Sequence, residues 1–335
     1  MRPDRCLLSF SLGALALVLF ASPAKVFASD GVISAQPIEQ YQSLRPGDKV
    51  GDLIWRGGLI LEGPEVFGGV SGIDFLDDKR FVMVTDQGQF VSGVLKHRNN
   101  GRPKGLENVQ LSPLQNSSGI PLPENYTRDA ESIATIFRGG RPAAVRVSFE
   151  NLTRVADFDL IDGRPVGAAR KVTIPDWLST LRTNESLESV CIAPAASPIS
   201  GSTLLIPENV SNEQGDHSAW LLGRRDVGAL SLSIASGFNP TDCAFLPDGD
   251  LLVLERGVSF LGFKMQVRRI RAENVAPGAL MQGEVILSGF GGDIDNMEGL
   301  AVRIDKDGST RIILVSDDNF NDWQRTLLLE FELPA

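Results

Sequence analysis

Histidine is nearly absent from this chain: His97 and His217 are the only two among 335 residues. That excludes histidine-rich metal sites and the HExxH arrangement, which needs two imidazoles one helical turn apart. Cysteine is almost as scarce, with Cys6, Cys191 and Cys243 in no zinc-type spacing. An excess of positive charge is missing too. Acidic residues number 42 against 32 basic ones, for a formal charge of −10 and a pI near 4.9. Without a basic stripe or interleaved aromatics, nucleic acid is excluded as a general partner. The same charge makes an anionic substrate awkward unless a bound cation reverses the local field. Beyond the N-terminus no apolar run approaches about 18 residues, so no membrane span is expected in the mature chain. Helical periodicity is also lacking, apart from a candidate short turn at Trp177–Arg182.

The N-terminus is read as a targeting segment. A short basic start, Met1 to Arg5, precedes an apolar run from Leu7 to Phe20 and small residues ending at Ala28. This is the pattern of a cleaved secretory signal over 1–28. Residues 29–335 are then one soluble domain, expected to be a monomer in the bacterial periplasm or outside the cell. Cys6 lies ahead of the apolar run, badly placed for lipidation.

Within that domain a short phrase recurs five times. It opens at Ser71, Glu131, Glu188, Asp242 and Glu298, in steps of 60, 57, 54 and 56 residues. Each opening leads into a strand, a polar turn and a second strand. The clearest turn is Pro247-Asp248-Gly249-Asp250, between apolar runs. Repeats of roughly 40–60 residues made of short strands are how a β-propeller looks in sequence. Five repeats give an all-β, five-bladed β-propeller of about four strands per blade. The last repeat is a strand short, and Asp52–Glu62 is a strand without a repeat, so the N-terminal strand is expected to close the last blade. A degenerate sixth blade within 29–67 is the alternative count. Asn99–Arg128 and Pro194–Gly201, rich in Gly, Pro, Ser and Asn, read as surface loops. Cys191 and Cys243 fall on innermost strands of separate blades. Secretion permits a disulfide, but such strands usually lie too far apart to bridge, so two buried free thiols are expected.

The second strands end in Asp86-Gln87, Glu150-Asn151, Glu208-Asn209, Glu255-Arg256 and Asp318-Asn319. Antiparallel pairing puts the end of each second strand beside the start of the first, so openings and closings should converge on one rim. Carboxylates that crowd together raise one another's pKa or require a cation. Carboxylate and amide oxygens without His or Cys favour Ca²⁺. The rival reading is structural, with acids at strand ends accepting backbone N–H bonds to lock blades together. Arg256 and Lys264 are expected either to hold an anion beside a metal or to neutralise neighbouring acids, whereas Arg268, Arg269 and Arg271 read as a solvated face. The two histidines read as loop or surface residues, His217 having the better claim to the rim. Ser71 is a weak candidate nucleophile, because isoleucine at position 73 breaks the nucleophile-elbow spacing.

Several segments together resemble a known family. They are Phe67-Gly68-Gly69-Val70-Ser71-Gly72-Ile73, Asp129-Ala130-Glu131-Ser132-Ile133, Leu251 to Arg256, Asn296 to Val302, Val315-Ser316-Asp317-Asp318-Asn319-Phe320 and Gln324 to Leu329. In this order they look like the bacterial phytase-like domain called "esterase-like activity of phytase", over roughly Phe67 to Leu333. The resemblance implies a secreted propeller related to Ca²⁺-dependent phytases, hydrolysing phosphomonoesters or simple esters, with Glu131, Glu188, Glu255, Arg256, Glu298, Asp317 and Asp318 on the rim. Propeller phytases have six blades, so phytate itself does not come with the resemblance. The resulting expectation has Glu131, Glu188, Glu208, Glu298 and Asp318 as Ca²⁺ ligands and Glu255, Arg256 and Asp317 as catalytic residues. Arg256, Lys264 and Asn319 contact a small ester or phosphate ester. A non-catalytic periplasmic binding propeller and a lactonase-type propeller are the alternatives.

Overall fold

Runs such as Ile312–Val315 and Leu251–Leu254 are apolar at every position, the mark of strands buried on both faces. In the computed structural model, which describes residues 33–123, 126–183, 185–260 and 262–334, these runs are the second strands of blades. Five sheets, formed in chain order, make a five-bladed β-propeller. Blade 1 runs from Val70 to Pro113, blade 2 from Ala130 to Val172 and blade 4 from Asn239 to Phe290. Blade 3 spans Ser189–Leu232 and gains Leu280–Met281 in parallel on its outer strand. Blade 5 contains Asn296–Ile304, Thr310–Asp317 and Thr326–Leu333. Its fourth strand is Leu53–Glu62 from the N-terminal side, covered in turn by Ser34–Ile38. The expected closure is therefore present, and no sheet among the described residues is left for a sixth blade.

Alternate side chains of one strand serve different interfaces, because successive residues point to opposite faces of a sheet. Ile312 and Leu314 pack between blades 4 and 5, while Ile313 and Val315 pack between blades 5 and 1. Leu252 and Leu254 likewise face blade 5, and Leu251 and Val253 face blade 3. The five apolar clusters correspond to the five blade junctions. Tyr41, Trp55 and Phe331 add an aromatic trio where the N-terminal segment docks, with ring centroids 5.1–5.4 Å apart.

Two expectations are corrected at this level. Cys191 and Cys243 form a disulfide, with Cα atoms 5.7 Å apart. A five-membered ring draws neighbouring innermost strands close to the axis, within the 4.4–6.8 Å that a bridge needs. The stretch Asn99–Arg128 is not all loop, because Pro103–Pro113 is the outer strand of blade 1. An outer strand donates on one edge only, so it tolerates the proline, glycine and polar residues that disguised it.

Candidate active site

Four of the five innermost strands enter the channel through the same local irregularity. The ladder carries an extra residue at Ser71, at Glu131–Ser132, at Thr241 and at Glu298. A bulge bends the strand and turns its extra side chain away from the normal alternation. The backbone pairs just above the bulge are Gly69 with Asp86, Asp129 with Glu150, Ser186 with Glu208, Asn239 with Arg256 and Asn296 with Asp317. One side chain per blade thus tops the second strand: Asp86, Glu150, Glu208, Arg256 and Asp317. The bulge positions supply Ser71, Glu131, Thr241 and Glu298, and Glu188, just ahead of the strand Ser189–Ile192, takes the corresponding place in blade 3.

This register corrects the fourth repeat by one residue. Asp242 sits a step deeper than the glutamates, where the other blades have Gly72, Ser132, Ser189 and Gly299. There it accepts the Ser132 hydroxyl at 2.7 Å and the Leu300 N–H at 2.7 Å, tying three blades together across the axis. Glu255 is corrected too. It lies below the rim, fully buried, where it accepts from Arg268 at 2.5 Å and from Gln266 at 2.6 Å. It reaches no substrate. Arg268 correspondingly points into the junction of blades 3 and 4 rather than into solvent, where it is held by Glu255 and by Ser233. Arg269 and Arg271 bind Asp250 at 2.7 and 3.1 Å.

The mouth itself is intensely acidic. Burial, then the charges of Glu188, Glu150, Asp129 and Glu298, push the Glu131 carboxyl well above its usual range. Glu188 and Glu298 are raised well above theirs by burial and by the same crowding. Glu150 is pushed up to about 8, chiefly by burial and by Asp129. Asp86 rises to about 7 through burial, Asp317 and Asp129, and Asp317 to about 6 through burial first.

Arg256 is the guanidinium set into this ring. Its Nη1 donates to Glu298 Oε1 at 2.7 Å and to Asn296 Oδ1, and its Nη2 to Glu208 Oε1 at 3.1 Å. It therefore bridges blade 3 to blade 5 and neutralises Glu208 and Glu298. On the opposite arc no guanidinium among the described residues is bonded to the carboxylates: Asp129 accepts from the Asn151 side chain, Glu150 Oε1 accepts from Ser186 N at 2.6 Å, and Arg154 stands near Asp129 without pairing to it. There Asp129, Glu131 and Glu150 each bring one carboxylate oxygen within 4.8 Å of the others. The Glu131 side chain, in a residue only 8% exposed, makes no hydrogen bond within the described residues. Three converging hard oxygens with one buried and unpartnered suit a divalent cation such as Ca²⁺.

The remaining expected residues separate. Glu188 lies beside Glu150 and Glu131, next to that arc. Glu208 and Glu298 are held by Arg256. Asp318 is a latch: its Oδ1 accepts from Gly69 N at 3.0 Å and Phe320 N at 3.1 Å, and its Oδ2 from Thr326 at 2.9 Å. Lys264 pairs with no acid among the described residues and lies over the Phe238 ring, 4.2 Å from its centroid. Asn319 donates to Gln324 at 3.0 Å on an exposed loop. The carboxamides inside the ring are instead Asn239 and Asn296. Asp129 and Glu150 stand in the converging arc without having been singled out as ligands. Asp129 begins a quoted motif and Glu150 ends a second strand, so the backbone pairing of strand ends was the available signal. His217 is not on the rim. The turn before it folds back through Ser218 N to Val210 O, placing His217 inside blade 3 at 3% exposure. His97 Nε2 lies 2.8 Å from Glu330 in a buried cluster with Arg303.

A five-bladed propeller whose acidic mouth holds one guanidinium and a converging group of carboxylates is the class defined by this fold and site. The chain belongs to the phytase-like family described as "esterase-like activity of phytase", which matches residues 65–320. No curated protein matches it in sequence. Among solved structures it is similar to a PQQ-bound aldose sugar dehydrogenase from Streptomyces coelicolor, with 12% identity, 90% of this chain and 98% of that one covered, and a TM-score of 0.39. It is also similar to the calcium-binding protein regucalcin from Agrobacterium tumefaciens, with 11% identity, coverages of 84% and 87% and a TM-score of 0.43. An endo-arabinase from Bacteroides thetaiotaomicron shows 14% identity, coverages of 79% and 94% and a TM-score of 0.44. Likenesses of that size say nothing of chemistry.

Proposed function

We propose that the acidic mouth is the active site of a secreted, Ca²⁺-dependent hydrolase of phosphomonoesters or simple esters. The observation that carries this reading is the asymmetry of the ring: Arg256 is hydrogen-bonded to Glu208 and Glu298 on one arc, whereas on the other Asp129, Glu131 and Glu150 converge with no ion pair among the described residues. Asp129, Glu131 and Glu150 would hold the ion, with Glu188 beside them. Calcium bound there would supply a Lewis-acidic positive charge to an ester oxygen. Arg256, fixed by Glu208, Glu298 and Asn296, offers a preorganised positive charge to the oxygen that becomes negative during attack. Asp317 and Asp86, raised to about 6 and about 7 by burial and crowding, are placed to take or give a proton near neutral pH. Water adds across the ester bond, giving an acid and an alcohol, and no side-chain nucleophile is required.

Secretion is supported by the Cys191–Cys243 bridge. Among the described residues no helix is long and apolar enough to cross a membrane. The signal at 1–28 lies outside the described residues. Aryl phosphates and aryl acetates, assayed with and without EGTA, test the hydrolase. Calcium-sensitive turnover that disappears in Glu131→Gln supports it, and inert protein under both conditions overturns it. The neutralisation of Glu208 and Glu298 by Arg256 also favours a second reading, a non-catalytic ligand-binding propeller. Calorimetric Ca²⁺ binding together with an inert turnover screen would select that one.

A further inference from the structure

The loop after the last second strand is built in an unusual way. Asn319 and Phe320 both have left-handed backbone, with φ of 48° and 49°, a region that non-glycine residues avoid. Two mouth carboxylates hold them there. Asp317 Oδ1 accepts the Asn319 N–H at 2.6 Å and Asp318 Oδ1 accepts the Phe320 N–H at 3.1 Å. The consequence is that the Phe320 ring spans the backbone of Gly68 and Gly69. A Cβ on either glycine would lie 2.9 Å from a ring carbon, so only this glycine pair allows the contact. The ring thus has a rigid bed on one face, while the residue remains 46% exposed beside Asp86 and Asp318. Three residues on, Trp323 is 91% exposed, with its N–H fixed to the Asn321 side chain at 3.0 Å. Between them, Asn319 and Gln324 pair as carboxamides.

Flat apolar faces next to carboxylate and amide acceptors complement a ring with C–H bonds on its faces and hydroxyl donors on its edge. Resting on the hydrolase reading above, we infer that this loop is the platform for a sugar ring, and that the substrates are O-acylated sugars whose ester group reaches the mouth. Phe320 and Trp323 then decide which esters are accepted. Hydrolysis splits the acyl C–O bond with water, releasing a carboxylic acid and the sugar hydroxyl.

The test uses the full chain and two esters that differ in the ring, 6-O-acetylglucose and ethyl acetate, together with methyl glucoside as a non-hydrolysable binding probe. Trp323→Ala touches an exposed residue, and Phe320→Leu keeps the cover over the glycines but removes the flat face. Both variants should raise KM for 6-O-acetylglucose at least tenfold, leave kcat/KM for ethyl acetate within twofold, and weaken calorimetric binding of methyl glucoside at least tenfold. Unchanged sugar binding in both variants would overturn the platform, as would a wild-type protein that binds no methyl glucoside at millimolar concentration. If neither ester is turned over, the hydrolase reading fails and the binding measurement still decides the platform. If ethyl acetate is cleaved with no preference for the sugar ester, the hydrolase stands and the platform falls.

Discussion

Glu131 and Glu255 are both buried acids, yet their surroundings give them opposite roles. Glu131 faces other carboxylates with no donor, so charge at this position is costly until a cation arrives. Glu131→Gln should weaken Ca²⁺ binding at least tenfold by calorimetry, and in EGTA it should melt slightly higher than wild type, because one source of like-charge repulsion is gone. Glu255 faces Arg268 and Gln266, so its charge is already paired. Glu255→Gln leaves a buried guanidinium without its counter-ion and should cost about 3 kcal/mol of stability in urea unfolding, with Ca²⁺ affinity little changed. Arg256→Gln should lower kcat on an aryl phosphate about 100-fold, because it removes the charge that the ring is arranged to hold in place. The candidates were legible as residue types, since acids do recur at strand ends. Which of them are ligands was not, because a carboxylate's role is set by the donor that folding brings against it, Arg268 from the adjacent strand for Glu255 and Arg256 from another blade for Glu208 and Glu298.

At the level of strands, the disulfide joins the innermost strands of blades 3 and 4 across a separation of 52 residues. By loop-closure entropy a bridge of that span is worth about 4 kcal/mol. A Cys191→Ala, Cys243→Ala double variant should therefore unfold at clearly lower urea concentration than the oxidised protein, and reduced wild type should follow it. The bulges belong to this scale as well. They lift Glu131 and Glu298 out of the alternation that would otherwise send them into a blade junction, and they explain the one-residue slip at Asp242. Nothing in the spacing of acids announces a bulge, because the extra residue changes register without changing composition.

For the whole propeller, the sign of the pH dependence follows from the raised carboxyl groups. Asp317, Asp86 and Glu150 have folded values of about 6, 7 and 8, above the roughly 4 of unfolded Asp and Glu. The native state then binds more protons than the unfolded one between these limits. The contribution is fully present below pH 4 and is lost as pH rises toward 8. In EGTA the melting temperature should fall between pH 5 and pH 8.5, and saturating Ca²⁺ at pH 8 should restore it, by about 3 kcal/mol at a hundredfold excess over Kd. A melting temperature that rises with pH in EGTA would contradict the crowding of buried carboxyls at the mouth.

The sequence by itself determined the repeat, because each blade junction demands the same pattern of buried strands and polar turns, and the structure settled the count at five by giving the N-terminal strands to the last blade. The sequence also determined that the N-terminal strand closes the ring, since the last repeat lacks one. Only the tertiary structure decided the charge assignments: Arg256 against Glu208 and Glu298, Arg268 against Glu255, and the convergence of Asp129, Glu131 and Glu150. Local sequence sets which face a side chain takes along its own strand. Arg256 meets Glu208 and Glu298 from 48 and 42 residues away, a meeting chosen by ring closure, which no local pattern encodes.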